Sequence, residues 1–262
     1  MRLLGAIAGD IIGSKYEFMR NAIKVKNFEL FPEESGFTDD SVLTIALADS
    51  IVNNIPYADN LRKYYKLYPD AGYGLRFREW CEDPTMKAYN SFGNGAAMRI
   101  SPVGYAYNDI NTIIMKAKEF TDVTHNHIEG VKGARATAVS IFFARSGYSK
   151  QHIKEAIEKM FGYDLSKHVD DIRPTYRFDE SCQGTVPQAI ISFLDSADFE
   201  DTIRNAVSLG GDADTLACIA GSIAQAYYGE IPKHIVDKVY EKLDDRLISV
   251  MESFDKYLDG DR

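Results

Sequence analysis

Apolar residues recur along this chain at spacings of three and four, and segments that alternate apolar with polar residues around hairpin dipeptides are nearly absent. The pattern predicts helices over residues 3–18, 40–52, 94–100, 110–121, 127–145, 150–160, 186–195, 200–207, 213–228 and 234–257. Between 127 and 145, Val131, Ala134, Ala138, Ile141, Phe142 and Arg145 mark one face of a 3.6-period helix. The segment Leu216 to Tyr228 is apolar almost all round. Its Ala217, Gly221 and Gln225 stand four residues apart, so neighbouring helices can approach it closely, and it is expected at the centre. No run rich in Pro, Gly and Ser divides the chain and no internal repeat occurs, so residues 1–262 read as one all-α domain. The least regular stretches are 68–92 and 163–184, and irregular loops of such length tend to carry function.

Composition narrows the class of partner. Of 262 residues, 45% are hydrophobic and 26% charged, the proportions of an ordinary globular protein. Thirty Lys and Arg against thirty-nine Asp and Glu leave a net charge of -9, which repels a polyphosphate backbone and argues against a nucleic-acid partner. Cys81, Cys182 and Cys218 are scattered and form no C-x-x-C pair, so neither a disulfide framework nor a zinc ribbon is expected, and the cytoplasm is the expected compartment. The apolar start stops at Asp10 and reads as a helix rather than a targeting peptide. The longest uncharged stretch, Thr215 to Gly229, is shorter than the ~20 apolar residues of a membrane span, so no membrane partner is expected.

Two acidic clusters stand at helix starts: Thr38-Asp39-Asp40, and Gly210-Gly211-Asp212-Ala213-Asp214-Thr215. Either one alone reads as a helix cap, because Asp and Thr are favoured there. Capping needs one oxygen, yet each cluster offers several, and oxygen ligands without Cys or His suit Mg²⁺, Mn²⁺ or Ca²⁺. The pair can therefore share a two-metal site. Asp10 and Glu17 stand two turns apart on the first helix and share a face, solvated or partly buried. Ser91-Phe92-Gly93-Asn94-Gly95 is a glycine-containing turn running into a helix with Met98, either a tight turn or a phosphate cradle. It lacks the preceding strand and third glycine of a dinucleotide site. Thr124-His125-Asn126-His127 suits a ligand contact by His125 better than zinc.

Taken together and in order, these motifs resemble the ADP-ribosylglycohydrolase family: Gly5-Ala-Ile-Ala-Gly-Asp10, Glu17, Thr38-Asp-Asp40, Ser91-Phe-Gly-Asn-Gly-Ala-Ala-Met-Arg99 with Ser101-Pro102, Thr124-His125, Gly210-Gly-Asp-Ala-Asp-Thr215, and Ala220 to Gly229 with Ile231-Pro232. The resemblance runs from Leu3 to about Pro232. It implies an orthogonal all-α helical bundle with a binuclear site for two Mg²⁺ (or Mn²⁺), held by Thr38, Asp39, Asp40, Asp212, Asp214 and Thr215. It implies a phosphate-binding loop at Ser91, Phe92, Gly93, Asn94 and Gly95 with Met98 behind it, an adenosine-side His125, and Glu17 near the metals. The excursions at 53–90 and 163–184 match none of its motifs.

The implied activity is hydrolysis of the glycosidic bond at the terminal ribose of an ADP-ribosylated protein or small molecule, releasing ADP-ribose. Such cleavage passes through an oxocarbenium-like state and needs carboxylates and an oriented water. Glu17 or Asp39 is the candidate to handle that water's proton. Mono-ADP-ribosyl-arginine is the expected substrate, from the resemblance to bacterial members of the family and the acidic balance of the chain, with Asp70, Glu79, Glu82 and Asp83, partly offset by Arg76, Arg78 and Lys87, as the source of an acidic cleft mouth. Oxygen-linked (serine, O-acetyl) and nucleobase-linked ADP-ribose are the alternatives. The rival classes are an ADP-ribose-binding module without turnover, a structural protein and a phosphoester hydrolase.

Overall fold

The computed structural model describes residues 1–17 and 22–260. Helices account for all the regular structure among them, apart from a single bridge between Gly93 and Ser181. In chain order the first are α1 (Leu4–Gly13), continued by a 3-10 turn at Ser14–Tyr16, α2 (Asp39–Asn53), α3 (Tyr57–Leu67), α4 (Leu75–Glu82) and α5 (Gly95–Met98). Next come α6 (Ser101–Ala106), α7 (Ile110–Thr121), α8 (Ile128–Arg145), α9 (Lys150–Phe161) and α10 (Val169–Ile172). The chain closes with α11 (Cys182–Leu194), α12 (Phe199–Ser208), α13 (Ala213–Tyr228), α14 (Lys233–Lys242) and α15 (Asp245–Asp259). The three cysteines are free and buried. No helix is long and apolar enough to cross a membrane.

The centre is a pair of helices, α1 and α13, that run antiparallel at very short separation. Gly5, Gly9 and Gly13 line one face of α1, and a Cβ on each would collide with the backbone of α13. At Gly5 it would meet Gly221 O at 2.4 Å, at Gly9 Ala217 O at 2.0 Å, and at Gly13 the Asp214 Cα at 2.4 Å. Gln225, polar within an apolar helix, closes the start of α1: its Oε1 accepts from Gly5 N at 2.7 Å and its Nε2 donates to Met1 O. That bond satisfies an amide which every helix start leaves without an internal partner. Helices α8, α11 and α12 surround α13, while α2 is backed by α3 and α15. The expected central helix is thus α13. Helix α8 is buried on nearly all sides, beyond the single face its pattern marks.

Several boundaries differ from the sequence pattern for local reasons. The predicted 234–257 helix is broken at Leu243, whose backbone is extended, and Asp244 restarts it by accepting from Leu247 N at 2.9 Å. The break is hidden because Val239, Leu243 and Leu247 keep the apolar spacing. Helices α3 and α4 fall in the stretch 53–90 where none was expected. The inward face of α3 carries Asn60, buried because its amide donates to Ala46 O and Asp49 Oδ2, so its pattern looks polar. Helix α11 starts at Cys182 rather than 186, capped by Ser181. Helix α1 ends at Gly13 instead of running to 18, and residue 18 itself lies outside the described residues.

The glycine contact generates a stability prediction. Gly9→Ala forces a methyl into the Ala217 carbonyl, an overpacking that costs about 1–3 kcal/mol or more, whereas Gly36→Ala meets nothing within 4 Å. Urea titration is expected to show a lower midpoint for the first variant and little change for the second. Equal midpoints would refute the close packing of α1 on α13.

Candidate active site

A cleft of about 390 Å³ opens where α1, α2, α5 and α13 converge. It is lined by Glu17, Asp39, Asp40, Ser91, Gly93, Asn94, Gly95, Met98, His125, Asp212, Asp214 and Thr215, twelve of the fourteen residues singled out from sequence. The other two, Thr38 and Phe92, stand just outside. The Thr38 hydroxyl donates to Asp10 Oδ1 at 2.7 Å, and Phe92, 49% exposed, sets its ring against His127. A larger, more open groove of about 890 Å³, bounded by Asp198–Arg204 and Tyr228–Lys233, holds none of them.

One buried carboxylate assembles the acidic floor. Asp10, on the face of α1, accepts from Thr38 N at 2.9 Å, Thr38 Oγ1, Ser41 N at 3.0 Å and Ser41 Oγ. These bonds satisfy it fully and dock the start of α2 onto α1. Asp39 and Asp40 then fall in the first turn of α2, and the 3-10 turn after α1 delivers Glu17. Across the cleft, Gly13 lets α13 approach until Asp212 and Asp214 join them. One carboxylate oxygen each from Glu17, Asp212 and Asp214 lie within 4.8 Å of one another. Thr215 Oγ1 donates to Asp40 Oδ1 at 3.4 Å, and Asn94 Nδ2 donates to Asp212 Oδ2 at 2.7 Å.

Capping does not explain these acids. At α2 the capping oxygen is that of Thr38, which accepts from Asp40 N; at α13 the N-cap residue Asp212 makes no cap bond, and Asp214 Oδ1 accepts only from the adjacent amide, Thr215 N, at 2.9 Å. The donor set suits a hard divalent cation. It is all oxygen, Asp40 Oδ2 is buried without a hydrogen-bond partner, and no Lys or Arg pairs with any of the five acids among the described residues. Their charges act on one another instead. Burial, then Asp212 and Asp10, push Glu17 up to about 7. Burial, then Asp10, Asp212 and Glu17, push Asp39 up to about 8. Asp40 and Asp214 are raised well above the ordinary carboxylate range, by burial first and neighbouring acids second.

The opposite wall holds the glycine turn. Its amides at Gly93 and Asn94 are already committed, to Ser91 Oγ at 3.1 Å and Glu180 O at 2.7 Å, so two of the five amides of the expected cradle are spent within the protein. His125 stands behind it, held neutral by burial and by the Arg99 guanidinium. Tyr89, also at the cleft, carries no signal in the sequence that sets it apart from any other Tyr, and Arg99 enters the sequence only as the last residue of the glycine motif, with no role attached to it.

The rim comes from the two irregular stretches. Leu75, Arg76 and Phe77 rise from 68–92, and Phe178 and Glu180 from 163–184; stretch length was the signal for both. The rim corrects one expectation, because Asp70, Glu79, Glu82 and Asp83 do not line the cleft. Glu82 accepts from the Tyr65 hydroxyl and Asp83 from Thr85, both at the surface. Among the described residues the mouth is apolar, with Leu75 65% and Phe178 43% exposed, and carries one cation and one anion, Arg76 and Glu180.

Comparisons with known proteins agree with this picture. The family model described as ADP-ribosylglycohydrolase matches residues 2–260. The chain is 27% identical to ADP-ribosylhydrolase ARH3 of Bos taurus, over 87% of this chain and 84% of that protein. It is 25% identical to ADP-ribosylarginine hydrolase Tri1 of Pseudomonas putida (strain GB-1), over 90% of this chain and 72% of that one. A solved structure described as an ADP-ribosylglycohydrolase-related protein complex superposes with a TM-score of 0.70 at 26% identity, covering 97% and 96% of the two chains.

The crowded acids imply a definite pH dependence for the metal-free protein. Unfolded carboxyls titrate near pH ~4, whereas Glu17 and Asp39 in the fold do so at about 7 and about 8. Between those limits the native state holds protons that the unfolded chain has lost, so stability falls as pH rises. Thermal melts after chelation are expected to show a lower Tm at pH 8 than at about pH 5.5, and added Mg²⁺ or Mn²⁺ to restore it at pH 8. A Tm indifferent to both pH and cation would refute the site.

Proposed function

The chain belongs to the ADP-ribosylglycohydrolase family, and from that premise we propose that it is a divalent-metal-dependent hydrolase that splits the bond between the terminal ribose of an ADP-ribosylated substrate and its attachment atom, releasing ADP-ribose. The observation that carries this reading is the convergence of two acidic helix starts, unpaired by any Lys or Arg among the described residues, in a cleft whose opposite wall holds a glycine turn and a neutral histidine.

Glu17, Asp40, Asp212, Asp214 and Thr215 would hold the metal, and Thr38 keeps one lone pair free to join them. Bound there, divalent cations lower the pKa of water and orient ribose hydroxyls. Asp39 stands outside the group formed by Glu17, Asp212 and Asp214, toward the connection at Gly72. We assign it the proton of the water that attacks the anomeric carbon, since a general base must reach that water rather than be spent on a cation. The carboxylate of Glu17 belongs with the metal ligands. The glycine turn and His125 hold the rest of the ADP-ribosyl group, and the apolar rim packs against whatever carries it.

That rim bears on the leaving group. The electrostatic part of the case for an arginine substrate was an acidic mouth, and the acids invoked for it do not line the cleft. An apolar rim of balanced charge better supports a neutral, oxygen-linked leaving group than a cationic guanidinium.

Two experiments test these assignments. With serine-linked, O-acetyl and arginine-linked ADP-ribose, mass spectrometry is expected to show free ADP-ribose, with kcat/KM highest for an oxygen-linked substrate and nearly insensitive to salt. A salt-sensitive preference for the arginine-linked substrate would reverse the leaving-group assignment, and AMP or no product would overturn the reaction. Asp39→Asn is expected to lower kcat by about 10²–10⁴-fold with metal affinity retained, whereas Glu17→Gln weakens metal binding measured by calorimetry. The opposite partition would exchange the two roles.

A further inference from the structure

Behind the glycine turn, three buried residues form a chain that ends in the cleft, and the functional reading uses only the last of them. Arg99 is 1% exposed, with its guanidinium carbon 5.5 Å from the centre of the Tyr57 ring. Its Nη2 donates to Thr124 Oγ1 at 2.6 Å, and Thr124 Oγ1 lies 2.8 Å from His125 Nδ1. Arg99 Nη2 is also 3.5 Å from that same ring nitrogen. No carboxylate pairs with the guanidinium among the described residues, and its Nη1 is buried without a partner. A buried cation placed this way is costly unless its direction matters.

The protons along this chain can be counted. A guanidinium has no acceptor atom, so Thr124 Oγ1 must accept from it. The proton of Thr124 then has one acceptor within reach among the described residues, His125 Nδ1. A nitrogen that accepts this bond and faces a guanidinium carries no hydrogen, so a neutral ring bears its hydrogen on Nε2. The Nε2 edge turns toward the glycine turn. A Cβ added at Gly95 would lie 3.2 Å from Nε2 and one at Gly93 3.6 Å, and all three residues line the cleft.

We propose that Arg99 and Thr124 are positioning residues that lock His125 as the Nε2–H tautomer, so that the cleft presents a fixed neutral donor beside Gly93 and Gly95 to an acceptor atom of the ligand. Glycine at 95 keeps the space in front of that donor clear. The identity of the ligand rests on the ADP-ribosyl reading above; the tautomer does not.

Nitrogen-15 NMR of protein labelled at histidine reads the tautomer directly and without ligand. In the wild type, His125 is expected to show a bare Nδ1 and a protonated Nε2 throughout about pH 5 to 8. Thr124→Val removes the hydroxyl at nearly constant volume and is expected to give a mixture of tautomers, while Thr124→Ser restores the single form. Calorimetric titration with ADP-ribose is expected to show affinity about tenfold weaker for Thr124→Val, the size of one lost hydrogen bond, and near wild type for Thr124→Ser. A hydrogen on Nδ1 in the wild type would overturn the proposal, and so would a Thr124→Val protein with unchanged tautomer and affinity. Should that variant not fold, the wild-type spectrum decides alone. The expected tautomer in a wild-type protein that does not bind ADP-ribose would support the Arg99–Thr124–His125 chain and overturn the functional reading instead.

Discussion

The distance between α1 and α13 is the constraint on which the rest of the structure depends. Three glycines, Gly5, Gly9 and Gly13, bring the two backbones into contact, so the separation is set by main-chain atoms that cannot yield rather than by side chains that can change rotamer. The last of them rests on Asp214 itself. On the same helix, Asp10 takes four hydrogen bonds from the start of α2. One short helix therefore fixes both acidic clusters, one through a carboxylate and the other through the absence of a side chain. Loosening either contact would move Asp39 and Asp40 relative to Asp212 and Asp214, which are otherwise far apart in the chain.

The arrangement works against the stability of the bare polypeptide. Glu17, Asp39, Asp40, Asp212 and Asp214 crowd together with no cationic side chain among the described residues to pair with them; burial raises all five, and neighbouring acids add to the rise at Glu17, Asp39, Asp40 and Asp214. Elsewhere the molecule avoids this. Asp49, also buried, takes bonds from Asn53, Asn60, Lys63 and Tyr64, and its pKa falls rather than rises. The contrast between two buried acidic environments in one fold supports the proposal that the first takes an outside cation.

Legibility in the sequence followed the physics of each element. Helices with a clean 3.6 period and ordinary caps, such as α7 and α9, stand within a residue of their predicted bounds. Helix α3 was invisible because Asn60 and three tyrosines occupy positions where an aliphatic stripe was sought, and the Leu243 break was invisible because the stripe continues through it. At the site, the acids were legible as unusual clusters at helix starts, and motif order joined them to the glycine turn and His125. Arg99 and Thr124 stand in those motifs, but their link to His125 was not legible, since a buried arginine that donates to a hydroxyl looks in sequence like one that meets solvent. Nor was the mouth, because whether Glu79 and Glu82 face the cleft or the solvent depends on the rotation of α4, a helix the pattern did not contain.

Floor and rim obey different constraints, and that bears on how such a site can change its substrate. The floor is held by backbone-to-backbone packing and by a buried carboxylate with every lone pair directed, so almost any substitution there alters the spacing of the acids. The rim is built from exposed side chains on two irregular stretches, Leu75 and Arg76 on one and Phe178 and Glu180 on the other, and none of these four props up a core helix. Exchanging a rim residue costs the fold little, since surface substitutions usually stay within ~0.5 kcal/mol, yet it changes what the departing group meets as it leaves. The chemistry at the anomeric carbon is therefore tied to the fold, while the choice of leaving group is separable from it. On the function proposed above, affinity for a product common to all substrates, ADP-ribose, would belong to the glycine turn and His125, and discrimination among substrates to the mouth.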